Sequence, residues 1–359
     1  MATAKMSAVC LIIIAVVSSA AQAQTAASKP RHAPDAIPGV EPEMLTPEYW
    51  ISVNADADDI IMPPEEIARF NERVRNKPVT SPAYEGPLRN PILPLDLPDT
   101  APGDTLRFIL AHNIEKLFNP DDMWGSRDFF DGRNAIYDDR MKQAVADAMN
   151  TGGIPDVITR RFGVIVHHAS VRQYPTDVPG YSDTTTELYR FQITDLCIGN
   201  PVAVLHESSD GAFLYVERPI SCGWVASGDI ALADRGTLRS LVENRRFLMA
   251  TGDRVAVYGD PEFRGFARYF YMSATLPLVS VGTRGYRVIL PCRRPDGFLE
   301  TADGYIKPDA DVHEGFLPYT KRSVIVQMFK LLNTPYGWHG QDNKRDCVGT
   351  LRVVFRCCG

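Results

Sequence analysis

Apolar residues along this chain recur with two different periods, and the change of period divides it. Between Pro30 and Pro102 lie 14 of its 27 prolines, a density that breaks any long helix or central strand and predicts an extended segment lying against something else. Within it, Pro64 to Asn76 predicts one short helix, with proline at its start and Ile67, Phe70 and Val74 along one face. A second helix starts at Asp104 with Leu106, Leu110, Ile114 and Leu117 on its apolar side. A third spans Asn134 to Met149 and ends at Gly152-Gly153. From about Asp156 the period falls from 3.6 towards 2. Short runs at Phe162 to Val166, Val202 to Leu205 and Ala212 to Val216 alternate with Gly, Pro, Asn and Asp turns, which predicts a small all-β domain. A second β stretch begins near Arg246. After Tyr319 the period is helical again: Ser323 can cap, Val324, Met328, Leu331 and Leu332 supply an apolar side, and Asn333-Thr334-Pro335 stops the helix. A last, buried helix follows from the spacing of Cys347, Val348, Leu351, Val354 and Phe355.

The two β stretches share landmarks. Asp210-Gly211 precedes Phe213-Leu214 and then Gly223-Trp224-Val225, and Asp296-Gly297 precedes Phe298-Leu299 and then Gly304-Tyr305-Ile306. A repeat of about eighty residues follows, each unit a small barrel with an Asp-Gly hairpin and a closing Gly-aromatic-aliphatic strand. The alternative is that unrelated β domains share turn signals. The expected organisation is multidomain α+β: a helical and extended segment over 24–155, two small barrels over 156–235 and 236–319, and the start of a further α+β domain over 320–359.

Composition narrows the function classes. With 38 basic and 44 acidic residues the net charge is −6, which offers no basic face for nucleic acid. Residues 1–23 read as an export signal: Lys5 gives a positive start, Val9 to Val17 an apolar run, and Ala21-Gln22-Ala23 a small-residue cleavage site. That run is far short of the roughly 20 residues that span a bilayer. Cys10 lies inside it and is a poor site for lipid attachment. A secreted or periplasmic chain is expected, with no integral membrane segment after cleavage. Six cysteines would then meet an oxidising compartment: Cys197, Cys222, Cys292, Cys347, Cys357 and Cys358. They form no Cys-x-x-Cys pair and no disulfide framework, although Cys197 and Cys222 could bridge and Cys357-Cys358 could serve a redox role. No metal or cofactor is expected.

The candidate chemistry sits at the C-terminal end. Cys347 belongs near the start of a helix, where unpaired N–H groups and the helix dipole favour a thiolate, and the thiolate is the nucleophile; the structural alternative is a cysteine buried as a small hydrophobe. Asp346 can cap that helix whatever else it does. Tyr336-Gly337-Trp338-His339-Gly340, followed by Asp346-Cys347-Val348-Gly349 and an apolar helix, resembles the NlpC-type (NlpC/p60) cell-wall cysteine peptidases, with His339 in place of a glycine and Val348 in place of a serine. The domain order is similar to one branch of that family: an N-terminal stabilising segment, two bacterial SH3-like domains, then a papain-like peptidase. The resemblance implies hydrolysis of peptidoglycan stem peptides between γ-D-glutamate and a diamino acid by a monomer. It implies Cys347 as nucleophile, Tyr336 shaping the oxyanion site, and Asp346 and Trp338 on the substrate side, Asp346 pairing with a free L-alanine amine. Tyr174, Tyr181, Tyr189 and Trp224 are available to a ligand groove or to a barrel core.

A papain-like site also needs a histidine and a partner to orient it, and in that family both follow the nucleophile helix. All seven histidines of this sequence precede Cys347, His167-His168 as one buried and one exposed β-domain pair and His339 closest in sequence. The expectation is therefore an incomplete peptidase domain, inactive as it stands, with a non-catalytic cell-wall-binding protein as the alternative function.

Overall fold

The computed structural model describes residues 39–75, 93–120, 128–184, 188–219 and 221–359. The expected export signal over 1–23, and His32, lie outside them. The chain divides into two units, Met1–Thr46 and Pro47–Gly359. In the first, a single 3-10 turn spans Pro42–Leu45, with Thr46 closing on the Glu43 carbonyl. Among the described residues, the second unit holds the remaining helices and strands.

Two short helices open it, α1 (Pro47–Ser52) and α2 (Pro64–Arg75), and α2 buries none of its residues. Ile67, Phe70 and Val74 do share a face, but Phe70 and Val74 are exposed. This segment is tied to the C-terminal end of the chain. Lys321 Nζ lies 2.7 Å from Asp56, Arg322 grips Asp58 with two nitrogens, and the Ile61 N–H donates to the Tyr319 carbonyl at 2.9 Å. The charged pairs are solvent-exposed and hence screened.

Residues 93–120 and 128–159 belong with the first barrel instead. Strand β1 (Thr100–Pro102) pairs with β2 (Val157–Thr159). Helix α3 (Gly103–Phe118) buries Leu106, Leu110 and Leu117 as its 3.6-residue spacing requires. Helix α4 (Asp139–Ala148) starts five residues later than the pattern suggested: Phe130 bridges to Ile136 across Asn134, whose φ is 62°, and the Asp138 side chain accepts the Met141 N–H. These helices share one apolar cluster with Tyr174, Tyr189, Phe191, Tyr215 and Trp224.

The first seven-stranded sheet comprises β3 (Arg161–Ile165), β4 (Ala169–Arg172), β5 (Gln192–Leu196), β6 (Pro201–Glu207), β7 (Phe213–Arg218), β8 (Ser221–Ala226) and β9 (Ile230–Leu232), in the order β5-β4-β8-β7-β6-β3-β9. Helix α5 (Arg235–Val242), capped by Asp234, leads to a second sheet. Its strands are β10 (Phe247–Ala250), β11 (Arg254–Tyr258), β12 (Phe266–Tyr271), β13 (Thr275–Gly282), β14 (Gly285–Arg293), β15 (Leu299–Ile306) and β16 (Val312–Glu314), in the order β12-β11-β15-β14-β13-β10-β16. Adding seven to each number of the first order gives the second, so the two sheets are topological repeats. Gly223-Trp224 in β8 and Gly304-Tyr305 in β15 are equivalent. The Asp-Gly landmarks are not: Asp210-Gly211 joins β6 to β7, whereas Asp296-Gly297 joins β14 to β15, one hairpin later in the repeat.

Two helices close the unit. Helix α6 (Lys321–Lys330) is capped by Thr320, which accepts the Ser323 N–H at 3.1 Å, so Ser323 is inside the helix rather than its cap. Gln327 and Leu331 face inward while Met328 and Leu332 face out. Helix α7 (Cys347–Arg356) packs Val353 and Val354, with Cys357 just beyond it, against Met249, Met272 and Leu331. A full burial of each valine contributes about 1.5–3 kcal/mol. The expectation of a buried helix is corrected for the other face: Val348, Leu351 and Phe355 are exposed, Val348 to 68%. The second sheet meets α7 through Met249 and Met272, and that contact decides which stripe is covered. Among the described residues no helix is long and apolar enough to cross a membrane.

Candidate functional site

The segment from Tyr336 to Arg345 is a strap laid over the first barrel. Tyr336 bridges to Arg345, and the Gly337 N–H donates to the Arg345 carbonyl at 3.1 Å. Between them His339, Asp342 and Asn343 take left-handed φ values of 51°, 55° and 59°, a conformation that His, Asp and Asn tolerate better than other side-chain-bearing residues. Gly340 has φ 88°, and a Cβ on it would sit 2.7 Å from the Asp195 carboxyl carbon, so both the backbone and the close approach require glycine here. The buried Gln341 accepts the Tyr189 N–H at 3.0 Å. Nδ1 of His339 lies 2.9 Å from the Gln192 carbonyl; a carbonyl only accepts, so Nδ1 carries the proton. Trp338 stacks on His339 at 4.4 Å, and the Arg190 guanidinium lies over its indole.

This strap delivers Tyr336 to the first turn of α7. Cys347 is exposed there. Tyr336 is 56% exposed, and its phenol is held above its ordinary range by partial desolvation and by the neighbouring Asp346 and Cys347. Asp346 is nearly buried. One of its oxygens accepts the Gly349 N–H at 2.6 Å as the helix cap, and the other faces the His339 N–H at 3.2 Å. The carboxylate therefore fixes both α7 and the strap. Trp338 packs towards the first barrel, against Arg190.

Every described histidine is engaged away from the Cys347 thiol. His112 lies beside Glu115, His167 beside Asp229 and His168 beside Asp195, while His206, His313 and His339 face backbone carbonyls. His167 is exposed and His168 mostly covered. None of the six described cysteines is in a disulfide, so the Cys197–Cys222 bridge is not formed. Tyr174, Tyr189 and Trp224 are core residues, not groove residues.

A second site, which the sequence pattern did not single out, lies beneath the strap. His168, Asp195 and Cys197 bring their ligand-type atoms within 4.8 Å of one another. Arg352, about one and a half turns beyond Cys347 on α7, pairs with Asp195 and donates to the Thr194 hydroxyl at 3.1 Å. Burial opposes charge on Asp195, yet His168 and Arg352 hold its carboxyl well below the usual range; burial likewise opposes charge on His168, and Asp195 and Cys197 outweigh it to raise the ring. The signal was present as Asp195-Leu196-Cys197, two alternate residues on one face of a strand. In sequence Cys197 stands out only as a partner for Cys222.

Residues 183–226 match the family model of an SH3 domain (SH3b1 type). Among solved structures the chain is similar to an NlpC/P60 endopeptidase from Photobacterium damselae subsp. piscicida, with TM-score 0.66 and 17% identity over 87% of this chain and 66% of that one. An NlpC/P60 family protein from Bacillus cereus aligns over 55% of this chain and 72% of its own, with TM-score 0.41 and 17% identity. No curated protein matches the sequence. The fold is thus that of a multidomain α+β chain with an SH3 match within the first sheet, a second sheet of the same strand order, and a likeness in fold to an NlpC/P60 endopeptidase. The chain spans just under two thirds of the Photobacterium endopeptidase, so the likeness is one of fold.

Proposed function

We propose that the protein is an exported cell-wall protein built on a stem-peptide endopeptidase of the NlpC type, with Cys347 as the nucleophile. The observation that carries this reading is the exposed Cys347 at the first turn of a helix capped by Asp346, with Tyr336 beside it. A thiolate there would attack the carbonyl between γ-D-glutamate and a diamino acid, with Tyr336 at the oxyanion. Asp346 already accepts two backbone N–H groups, and its remaining acceptor capacity would meet a stem peptide's free amine. Trp338 would act by holding the strap against Arg190. Export by residues 1–23 to the periplasm or medium belongs to the same proposal.

A second reading, wall binding without cleavage, is favoured by the engagement of every described histidine elsewhere. The test is incubation of the 359-residue protein with L-alanyl-γ-D-glutamyl-diaminopimelate, following binding by calorimetry and release of L-alanyl-D-glutamate by chromatography. Binding with release is expected from the first reading and binding without release from the second. Release that disappears in Cys347→Ala would establish the enzyme, and absence of both binding and release would sink both readings.

A further inference from the structure

The β4–β5 hairpin places three different metal-type donors on one side. Ala169 pairs with Leu196 and Ser170 with Asp195 in antiparallel register, so His168, immediately before β4, falls opposite Cys197, immediately after β5. Asp195 and Cys197 are two apart and share a face. The result is an imidazole, a carboxylate and a thiol converging within 4.8 Å.

The spacing within the cluster fits coordination as well as it fits an ion pair. Nε2 of His168 is 3.2 Å from Oδ2 of Asp195, with both side chains about nine-tenths buried. Yet neither ring nitrogen of His168 makes a well-aligned hydrogen bond, an uncommon and costly state for a buried polar ring. Donors on a tetrahedral ion with bonds near 2.0 Å stand roughly 3.3 Å apart with their lone pairs converging on the ion rather than on each other. The spacing of Nε2 and Oδ2 is of that size. Arg352 pairs with Oδ1 of Asp195 and leaves Oδ2 turned to Nε2 of His168, and a contact of this sort from outside the donor set orients a ligating carboxylate. The ring of His168 is fixed by Tyr271 of the second sheet, 4.6 Å away.

We propose that His168, Asp195 and Cys197 form a binding site for one divalent ion of the zinc class. One thiolate and one carboxylate neutralise such an ion, so no excess charge is placed near Arg352. Sulfur with imidazole favours zinc or cobalt over magnesium or calcium, which select oxygen donors. The ion would join the β4–β5 hairpin of the first barrel to α7 through Arg352. The site is independent of the chemistry at Cys347.

The test uses the full chain freed of metal and titrated with Co²⁺. One cobalt per chain is expected, with a thiolate-to-cobalt absorption and the intense visible bands of tetrahedral coordination. Cys197→Ser should abolish the thiolate band, His168→Gln should weaken binding by more than about 100-fold, beyond the cost of losing a residue that merely supports a ligand, and Cys347→Ser should leave both unchanged. No thiolate band in the parent protein, or a band that survives Cys197→Ser or vanishes in Cys347→Ser, overturns the site. Should the ligand variants fail to fold, X-ray absorption of the zinc-loaded parent decides: one sulfur near about 2.3 Å and imidazole nitrogen near about 2.0 Å support it, and a shell without sulfur refutes it.

Discussion

Trp224 in β8 is fully buried, whereas its counterpart Tyr305 in β15 is only half-buried, and the cause lies in what covers each sheet. The first sheet lies under α3 and α4, whose Leu106, Leu110 and Val145 share a cluster with Trp224. The cluster of the second sheet takes in Cys197 and Ile198 of the first barrel but no helix residue. Identical strand order therefore coexists with different interiors. Strand order follows from the alternation and turns within each repeat; how large a side chain the closing strand can bury depends on helices from outside it.

That contrast gives the largest expected effect. Trp224→Ala should cost about 3–5 kcal/mol, while Tyr305→Ala should cost less than half as much, both measured by urea unfolding. Equal losses would show that α3 and α4 do not distinguish the two interiors. The charged pairs differ in the same sense. Arg160 and Glu217 are buried against each other at 3.1 Å, and truncating Glu217 to Ala leaves a buried cation, which costs about 3 kcal/mol or more. Arg287 and Asp303 in the second sheet are half-exposed at 3.4 Å, and Asp303→Ala should cost under about 1 kcal/mol.

The equivalent glycines sharpen the comparison at smaller scale. A Cβ on Gly223 would meet the Arg172 backbone oxygen at 2.7 Å, while one on Gly304 would meet side-chain atoms of Leu290 and Val257. Backbone cannot yield as a leucine can. Gly223→Ala should therefore fall at the upper end of the about 1–3 kcal/mol typical of overpacking and Gly304→Ala at the lower end. A thermal-melt series in which Gly304→Ala is the worse variant would overturn that ranking.

Local patterning made some of this legible before any coordinates. The leucines of α3, the strand runs and Gly223-Trp224 each announce themselves by period or by turn chemistry. Legibility ends where a long-range contact decides. Which stripe of α7 is covered depends on Met249 and Met272, more than seventy residues upstream. The start of α4 depends on a bridge across Asn134, and the interior of the His168 cluster on strand register. The Tyr336 and Cys347 motif is visible as letters, but the docking of its strap through Gln341 and Gly340 depends on Tyr189 and Asp195.

The smallest effect tests how α7 is held between the two sheets. Its middle is tied to the first sheet through Arg352 and Asp195, and its far end is packed on the second. Burial pushes the Cys357 thiol up to about 12 and the Cys358 thiol up to about 11, so at pH 8 both stay protonated and covered and react slowly. Iodoacetamide followed by peptide mass spectrometry should mark Cys347 first, with Cys357 and Cys358 modified only on unfolding. Asp346→Ala removes the cap and should cost about 1 kcal/mol while leaving that order unchanged, because the far end of α7 rests on Val353, Val354 and the second sheet. If Cys357 were instead labelled as fast as Cys347 in the variant, the cap rather than the sheet would be what keeps α7 seated.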